Sequence, residues 1–145
     1  MNSTITRKPP LAPTMALLSR ARLPVEDLTE RHCEDFFYVG PAQEPLGLVG
    51  LEMFGDVGLL RSLAVASELR GRGVGSDLLS HAERYAGSHG VRQLYLLTNT
   101  ADAFFAARGY VVTRRDDTPD AVRATREFAA ICPASARVMS KTIQG

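Results

Sequence analysis

Three absences limit what this chain can be. Its 145 residues contain no apolar run near the ~20 residues that a helix needs to span a bilayer, and residues 1–13 lack the apolar core of a secretory signal. Neither sign of charge is in excess, because 17 basic and 16 acidic residues leave a net charge of +1. No general field therefore recruits nucleic acid or a membrane. The two cysteines, Cys33 and Cys132, are expected to be free thiols in a reducing cytoplasm.

The length fits a single domain. Pro9, Pro10 and Pro13 predict a flexible, extended leader over residues 1–13, followed by one domain over residues 14–145. Strand-like and helical stretches alternate after an initial meander, which is typical of an α/β or α+β fold with a mixed sheet. The predicted strands are residues 35–40, 47–54, 57–65, 93–98, 110–113 and 136–143, and the predicted helices are residues 75–88, 101–108 and 120–130, with a further helix start at 24–28.

The loop after the strand at residues 57–65 is the most informative stretch of the chain. Its alternate glycines can adopt φ > 0 and let the backbone approach a ligand closely. Its N–H groups and the start of the next helix attract an anion, and its two arginines add charge-assisted hydrogen bonds. The loop therefore predicts a phosphate-bearing cofactor. The residues concerned are Arg70, Gly71, Arg72, Gly73, Val74, Gly75 and Ser76.

Two other phosphate-binding motifs fit this loop poorly. A Rossmann site needs G-x-G-x-x-G and an acid about 20 positions later, whereas Gly75 comes too early and Arg92 stands where the acid is sought. A P-loop needs G-x-x-x-x-G-K-[ST], and no Lys-Ser or Lys-Thr pair follows Gly75. A glycine-rich turn without a ligand is the remaining alternative, which two arginines at a helix start disfavour.

Two motifs in the right order resemble those of the GNAT family of N-acetyltransferases. The first is Leu-Ala-Val at residues 63–65 followed by residues 70–75, similar to the family's L-x-V and [QR]-x-x-G-x-[GA] for acetyl-CoA. The second, residues 98–110, is similar to N-x-x-A-x-x-x-Y-x-x-x-G-[FY]. The resemblance covers residues 46–113. It implies the GNAT fold, a mixed central sheet flanked by helices, with splayed central strands that hold acetyl-CoA.

The resemblance also implies where acetyl-CoA lies. The pantetheine arm would pair with residues 59–65 like an extra strand, and an N–H near Leu63 would polarise the thioester carbonyl as an oxyanion hole does. The N–H groups of residues 70–75 would hold the pyrophosphate. Besides the loop, the expected acetyl-CoA contacts are Leu63, Ala64, Val65, Thr98, Asn99, Phe104 and Phe105.

The chain departs from the family pattern at two positions. Phe105 stands where many members have a tyrosine that protonates the leaving CoA thiolate. The thiolate would then leave unaided, through water, or with help from Tyr95 or Tyr110. Its thiol pKa of ~8.5 makes it a fair leaving group. Thr98 replaces the usual asparagine and is followed by Asn99.

Glu52 is the candidate base for the amine substrate, because it is the one acid in an otherwise apolar strand. If Gly55-Asp56 forms a two-residue type II′ turn, Glu52 faces Leu59. Arg61 then faces Gly50, one diagonal step from Glu52 on the same face. Charges in a central strand are unfavourable unless paired or used. Glu52 is therefore the base or a substrate contact, and Arg61 an anchor for a substrate carboxylate, or the two form a structural ion pair.

A narrower resemblance, over residues 50–65 and 124–136, is to the short N-acetyltransferases of bacterial arsenic-resistance operons. Their longer relatives acetylate arsinothricin and phosphinothricin, which are glutamate mimics. The resemblance implies acetyl transfer to the amino group of a small molecule, an amino acid or a glutamate-like toxin. Acetylation of a protein or peptide, and acyl-CoA sensing without catalysis, are the alternatives.

The remaining charged and metal-binding residues are less informative. Arg123 and Arg126, three apart on the predicted late helix, either line an entrance for an anionic substrate or belong to a solvated helix face. The three histidines have no metal-ligand spacing, so no metal is expected. The family resemblance makes a homodimer an expectation.

Overall fold

A mixed sheet of seven strands forms the centre of the fold. The computed structural model describes residues 4–128 and 136–143. Its strands are β1 (Thr6–Arg7), β2 (Phe36–Val39), β3 (Gly47–Phe54), β4 (Val57–Val65), β5 (Gln93–Thr98), β6 (Val111–Thr113) and β7 (Arg137–Thr142), and its helices are α1 (Leu11–Arg20), α2 (Glu30–Cys33), α3 (Val74–Ser88), α4 (Asp102–Ala106) and α5 (Asp120–Arg123). The sheet order is β1-β2-β3-β4-β5-β7-β6, and β4 and β5 run parallel while the other neighbours are antiparallel. This architecture confirms the predicted mixed sheet with flanking helices.

Helices cover both faces of the sheet because β2 is apolar on both faces. Phe36 and Tyr38 belong to a core that includes Leu18 of α1, while Phe37 and Val39 belong to the core that includes α3. Successive side chains of a strand point to opposite faces. An apolar residue at every position of β2 therefore requires a helix on each side.

The hairpin of β3 and β4 has the predicted register. Gly55 adopts a φ of 72°, as the first central residue of a type II′ turn must. Glu52 pairs with Leu59, and Gly50 pairs with Arg61. The prediction was possible because a two-residue turn fixes the pairs that follow it as far as the first bulge.

A bulge in β4 was not predicted. Between the pairs Leu48–Ala64 and Gly50–Arg61, two residues of β4 oppose one residue of β3. Ser62 takes a φ of 61° there, a left-handed conformation that is uncommon for serine. A bulge bends its strand, and β4 pairs with β5 only up to Leu59. The two central strands then separate, which confirms the splayed arrangement.

The N-terminal segment differs from the expected leader over residues 1–13. From residue 4 onwards, where its structure is described, it belongs to the domain, because Thr6–Arg7 pairs with β2 and α1 begins at Leu11. The prolines that suggested an extended leader flank or occupy the first turn of α1: Pro10 is the N-cap residue and Pro13 follows within that turn. Proline is tolerated there because the first N–H groups of a helix have no intrahelical partner.

Two predicted helices are also different. Residues 24–28 are not helical, with a turn at residues 26–27, and the next helix is α2, which begins after a capping box at Thr29. The late helix, predicted over residues 120–130, is interrupted after Arg123. The Thr125 hydroxyl donates to the Val122 carbonyl and accepts from the Phe128 N–H, and such local bonds compete with helix bonds. Cys132 and most of the tail resemblance over residues 124–136 lie outside the described residues.

Candidate active site

A cleft of about 1050 Å³ opens where β4 and β5 separate. One wall is the second half of β4, from Leu60 to Val65, and another is the end of β5 with the loop that follows it, residues 96–101. The loop after α1 contributes residues 21–26, and Arg70 and Gly75 come from the glycine loop. The cleft therefore connects the backbone of β4 with the predicted phosphate-binding loop.

The glycine loop has an open backbone. Gly71 and Gly73 adopt φ angles of 79° and 77°, and a Cβ at either position would meet nothing within 4 Å. α3 begins directly afterwards at Val74 and is 15 residues long, so its unpaired N–H groups and the positive end of its dipole lie at the loop. A diphosphate group needs this combination of accessible N–H groups and a helix N-terminus, so the residues present fit acetyl-CoA.

Three carboxylates share one guanidinium beside β4. The Arg61 side chain is fully buried. Its Nη1 and Nη2 donate to the Asp27 carboxylate at 2.5 and 2.8 Å, and Nη1 also donates to Glu52 at 2.8 Å. Its Nε donates to Ser62 Oγ at 3.1 Å and lies 3.5 Å from Glu127. We call Arg61, Asp27, Glu52 and Glu127 the Arg61 cluster.

Burial and Arg61 act in opposite directions on the carboxyl groups. Burial alone would raise the pKa of Asp27, but the hydrogen bonds and charge of Arg61 hold it below its usual value. Burial, together with repulsion by the charges of Asp27 and Glu52, raises the pKa of Glu127 to about 7. The attraction of Arg61 lowers this pKa, but by less than the other causes raise it. Burial alone would lower the pKa of Arg61, but its carboxylate partners raise that pKa above its usual value, so the guanidinium stays charged. Glu127 is therefore the carboxyl group whose ionisation changes near neutral pH.

Comparison with known proteins agrees with this geometry. The sequence profile of the acetyltransferase (GNAT) family matches residues 9–110. The chain belongs to this family. It is similar to the amino-acid acetyltransferase of Ralstonia nicotianae, with 38% identity over 64 residues, which cover 44% of this chain and 14% of that protein. It is also similar to the amino-acid acetyltransferase of Neisseria meningitidis serogroup A, with 28% identity over 116 residues, which cover 79% of this chain and 26% of that protein.

The GNAT fold is also seen in a solved structure of N-acetylglutamate synthase from Neisseria gonorrhoeae complexed with coenzyme A and L-arginine. The TM-score is 0.81 with 21% identity, and the match covers 98% of this chain and 33% of that one. This likeness shows the fold. The chain spans 14% and 26% of the two amino-acid acetyltransferases named above.

Most of the predicted acetyl-CoA contacts of this GNAT chain reach the cleft. Val74 does not, because it is buried in the core at 3% exposure. Ser76 is turned to α4, where its Oγ accepts a hydrogen bond from Arg108 at 3.2 Å. Gly71, Arg72 and Gly73 form the loop beyond the cleft wall. The predicted contacts that line the cleft are Leu63, Ala64, Val65, Arg70, Gly75, Thr98, Asn99, Phe104 and Phe105.

Glu52 and Arg61 have the geometry of a structural ion pair. Glu52 bonds to Arg61, lies 3.9 Å from His32 Nε2, and is not part of the cleft lining. The N–H groups of Arg61 are directed to protein partners, so a substrate carboxylate would have to displace one of them. This arrangement disfavours Arg61 as a substrate anchor, and Glu52 lies outside the cleft lining.

Arg123 and Arg126 do not line the cleft. Both are exposed, and Arg123 pairs with Asp120 at 2.5 Å. α5 ends at Arg123, so the two arginines do not share the continuous helix face that was predicted. The geometry favours the solvated surface over the entrance to the site.

Neither tyrosine considered as a general acid lines the cleft. The Tyr110 hydroxyl donates to Glu83 at 2.9 Å, and burial together with Glu83 raises its pKa. Tyr95 packs in a separate core with Leu59 and Val138. Phe105 lines the cleft at the family's tyrosine position, and departure of the thiolate unaided or through water stays a prediction.

The sequence reasoning missed Asp27 and Glu127. Asp27 was interpreted as an acid in the first turn of a helix, and Glu127 as one position of another helix. A usable signal existed for Glu127, because it is a lone acid that precedes the apolar run Phe128–Ile131. The same argument selected Glu52.

The Arg61 cluster overlaps with a group of potential metal ligands. Asp27, His32 and Glu52 each offer one ligand atom, a carboxylate oxygen or a ring nitrogen, and these three atoms lie within 4.8 Å of one another. Both carboxylate oxygens of Asp27 are already bonded to the Arg61 guanidinium, which supplies the positive charge there. The expected absence of a metal stays a prediction.

Proposed function

We propose that the chain transfers the acetyl group of acetyl-CoA directly to the amino group of a small molecule that also carries a carboxylate. The class includes amino acids and glutamate-like toxins such as arsinothricin and phosphinothricin. The observation that carries the proposal is the cleft, which connects an open glycine loop with the acidic Arg61 cluster. Membership of the GNAT family supports acetyl-CoA as the donor, and the names of the two bacterial relatives support an amino acid as the acceptor.

The backbone of β4 would hold the donor. Because β5 pairs with β4 only up to Leu59, the main-chain groups of residues 60–65 that face away from β3 are available to the pantetheine amides. An N–H near Leu63 would polarise the thioester carbonyl and stabilise the oxyanion formed on attack. Phe104 and Phe105 line the same cleft and would enclose the acetyl group.

Arg22 is the better candidate for the anchor of the substrate carboxylate. It lies in the loop after α1, is exposed, and lines the cleft. Among the described residues it makes no ion pair, whereas Arg61 is already bonded to two carboxylates. An unpaired guanidinium at the cleft can bind a carboxylate through two parallel hydrogen bonds.

The proposal is tested by measuring CoA release from acetyl-CoA with the purified chain against a panel of amines. The panel contains glutamate, arsinothricin, phosphinothricin, other amino acids, polyamines and short peptides. We expect turnover with amino acids or glutamate mimics and little with polyamines. Preference for peptides would support the protein N-acetyltransferase alternative. Silence on every acceptor while acetyl-CoA still binds would support an acyl-CoA sensor, the alternative that Phe105 favours.

Location and assembly belong to the same proposal. No helix in the part of the chain that the structure describes has both the length and the apolar character to cross a membrane. The cytoplasmic location and the homodimer stay predictions, and sedimentation equilibrium of the purified chain tests the latter.

A further inference from the structure

Glu127 is the one carboxyl group of the Arg61 cluster that lines the cleft. Asp27 and Glu52 also interact with Arg61, but they are absent from the lining. Glu127 is 5% exposed, so its contact with the cleft is confined to a small part of the side chain. A substrate amine in the cleft would therefore meet Glu127 before the other two carboxylates.

Glu127 is also the carboxyl group that Arg61 holds least firmly. Asp27 and Glu52 accept hydrogen bonds at 2.5 to 2.8 Å, whereas Glu127 lies 3.5 Å from Arg61 Nε. Among the described residues, the contact to its carboxylate is this ion pair with Arg61, at 3.5 Å rather than at hydrogen-bond distance. Its lone pairs are available to a donor that arrives through the cleft.

The backbone beside Glu127 is fixed by its neighbours. Phe128 is buried in the core with Leu59 and Val122, and its N–H donates to Thr125 Oγ1 at 3.2 Å. A proton acceptor has to be held in position to be effective. The contacts of Phe128 and Thr125 meet that requirement for Glu127.

The charges around Glu127 favour an ammonium group. The charges of Arg61 of β4, Asp27 of the loop before α2 and Glu52 of β3 act on it directly. Glu52 lies next to Arg61, and His32 of α2 lies next to Glu52. When Glu127 is ionised, three carboxylates oppose one guanidinium. A substrate ammonium reduces this excess on binding, and transfer of its proton to Glu127 then neutralises both groups without changing the net charge of the site.

We propose that Glu127 accepts the proton from the substrate ammonium, a role that rests on the proposed function. The step converts R–NH3+ and the Glu127 carboxylate into R–NH2 and a neutral carboxyl group. The free amine then attacks the thioester carbon, the C–N bond forms and the C–S bond breaks. A second N–H proton neutralises the CoA thiolate, and Glu127 returns its proton to solvent.

The test is the pH dependence of kcat/KM for the best acceptor of the panel, measured for the wild-type chain, Glu127→Gln and Glu52→Gln. In the wild type we expect kcat/KM to rise towards a plateau as Glu127 ionises near pH 7. Glu127→Gln should lose about 10²-fold at pH 7 and recover as the pH approaches the pKa of the free amine. Glu52→Gln should keep the rise and shift it to lower pH, because a charge that repels the Glu127 carboxylate is removed.

Three controls keep the outcomes distinct. Acetyl-CoA affinity, measured by calorimetry, should be unchanged in Glu127→Gln, and Glu127→Asp should restore part of the rise. Asp116→Asn, an acid-to-amide change at a position that is 80% exposed, should match the wild type. A wild type that acetylates no acceptor overturns the proposed function. An active wild type whose pH profile is the same in Glu127→Gln, or is flattened by Glu52→Gln instead, overturns the role of Glu127 alone.

Discussion

At the scale of single residues, Arg22 in the loop after α1 is the proposed anchor for the carboxylate of the acceptor. We predict that Arg22→Gln raises KM for a carboxylate-bearing acceptor about 10- to 100-fold, the loss expected for a charge-assisted hydrogen bond, with a smaller effect on kcat. Steady-state kinetics with the best acceptor measure both. Arg123→Gln is the matched control, because Arg123 is exposed on α5 outside the cleft. A KM for Arg22→Gln equal to those of the wild type and Arg123→Gln would show that Arg22 does not bind the acceptor.

Glu127 also makes stability depend on pH. Its pKa is about 7 in the folded chain against 4.5 ordinarily, so the folded state binds the proton more tightly between these values. Raising the pH through this window therefore lowers the free energy of unfolding, by about 3 kcal/mol in total. Glu127→Gln removes this dependence, and we predict that its advantage over the wild type grows from pH 4.5 to pH 8. Urea unfolding at both pH values measures the difference, and a constant difference contradicts the prediction.

Residues close in sequence were predicted better than those that meet through the fold. The glycine loop is one contiguous motif, and Glu52 pairs with Leu59 because a two-residue turn lies between them. The Arg61 cluster joins position 27 to position 127. No local pattern shows that Asp27 and Glu127 meet Arg61.

At the scale of elements, the glycine loop allows a matched pair of variants. Gly73 and Gly55 have φ angles of 77° and 72°, and a Cβ at either meets nothing within 4 Å. A valine is therefore strained to a similar extent at both positions. We predict that Gly73→Val weakens acetyl-CoA binding about tenfold or more, because its branched side chain crowds the pyrophosphate. Gly55→Val should bind acetyl-CoA like the wild type in calorimetry. Equal affinities would refute the placement of the pyrophosphate.

The elements that were predicted incorrectly depend on tertiary contacts. Prolines near the N-terminus are equally compatible with an extended leader and with the first turn of α1. The Thr125 side chain diverts the backbone that periodicity alone would continue as a helix. The need for glycine at position 50 could not be predicted from sequence either, because only the fold shows that a Cβ there would collide with the Phe36 ring.

At the scale of the whole molecule, acetyl-CoA should stabilise the folded chain. The cleft draws on β4, β5, the loop after α1 and the segment around Glu127, which come together only when the domain is folded. A ligand that binds the folded state alone adds about 2.7 kcal/mol at a concentration of 100 Kd. We predict a rise in Tm of about 5 to 10 °C for a domain of this size. Differential scanning fluorimetry measures it, with Gly73→Val as the comparison, and an unchanged Tm at saturation would contradict it.

The short pairing of β4 with β5 also has a consequence for hydrogen exchange. Beyond Leu59, main-chain groups on the β5 side of β4 pair with no strand of the described residues. Amide hydrogens directed to that side should exchange with solvent deuterium faster than those that donate to β3. A ligand with its own amide groups would fill the gap and slow them. Deuterium uptake over residues 60–65, followed by mass spectrometry, therefore reports whether the cleft is filled even when no acceptor is turned over.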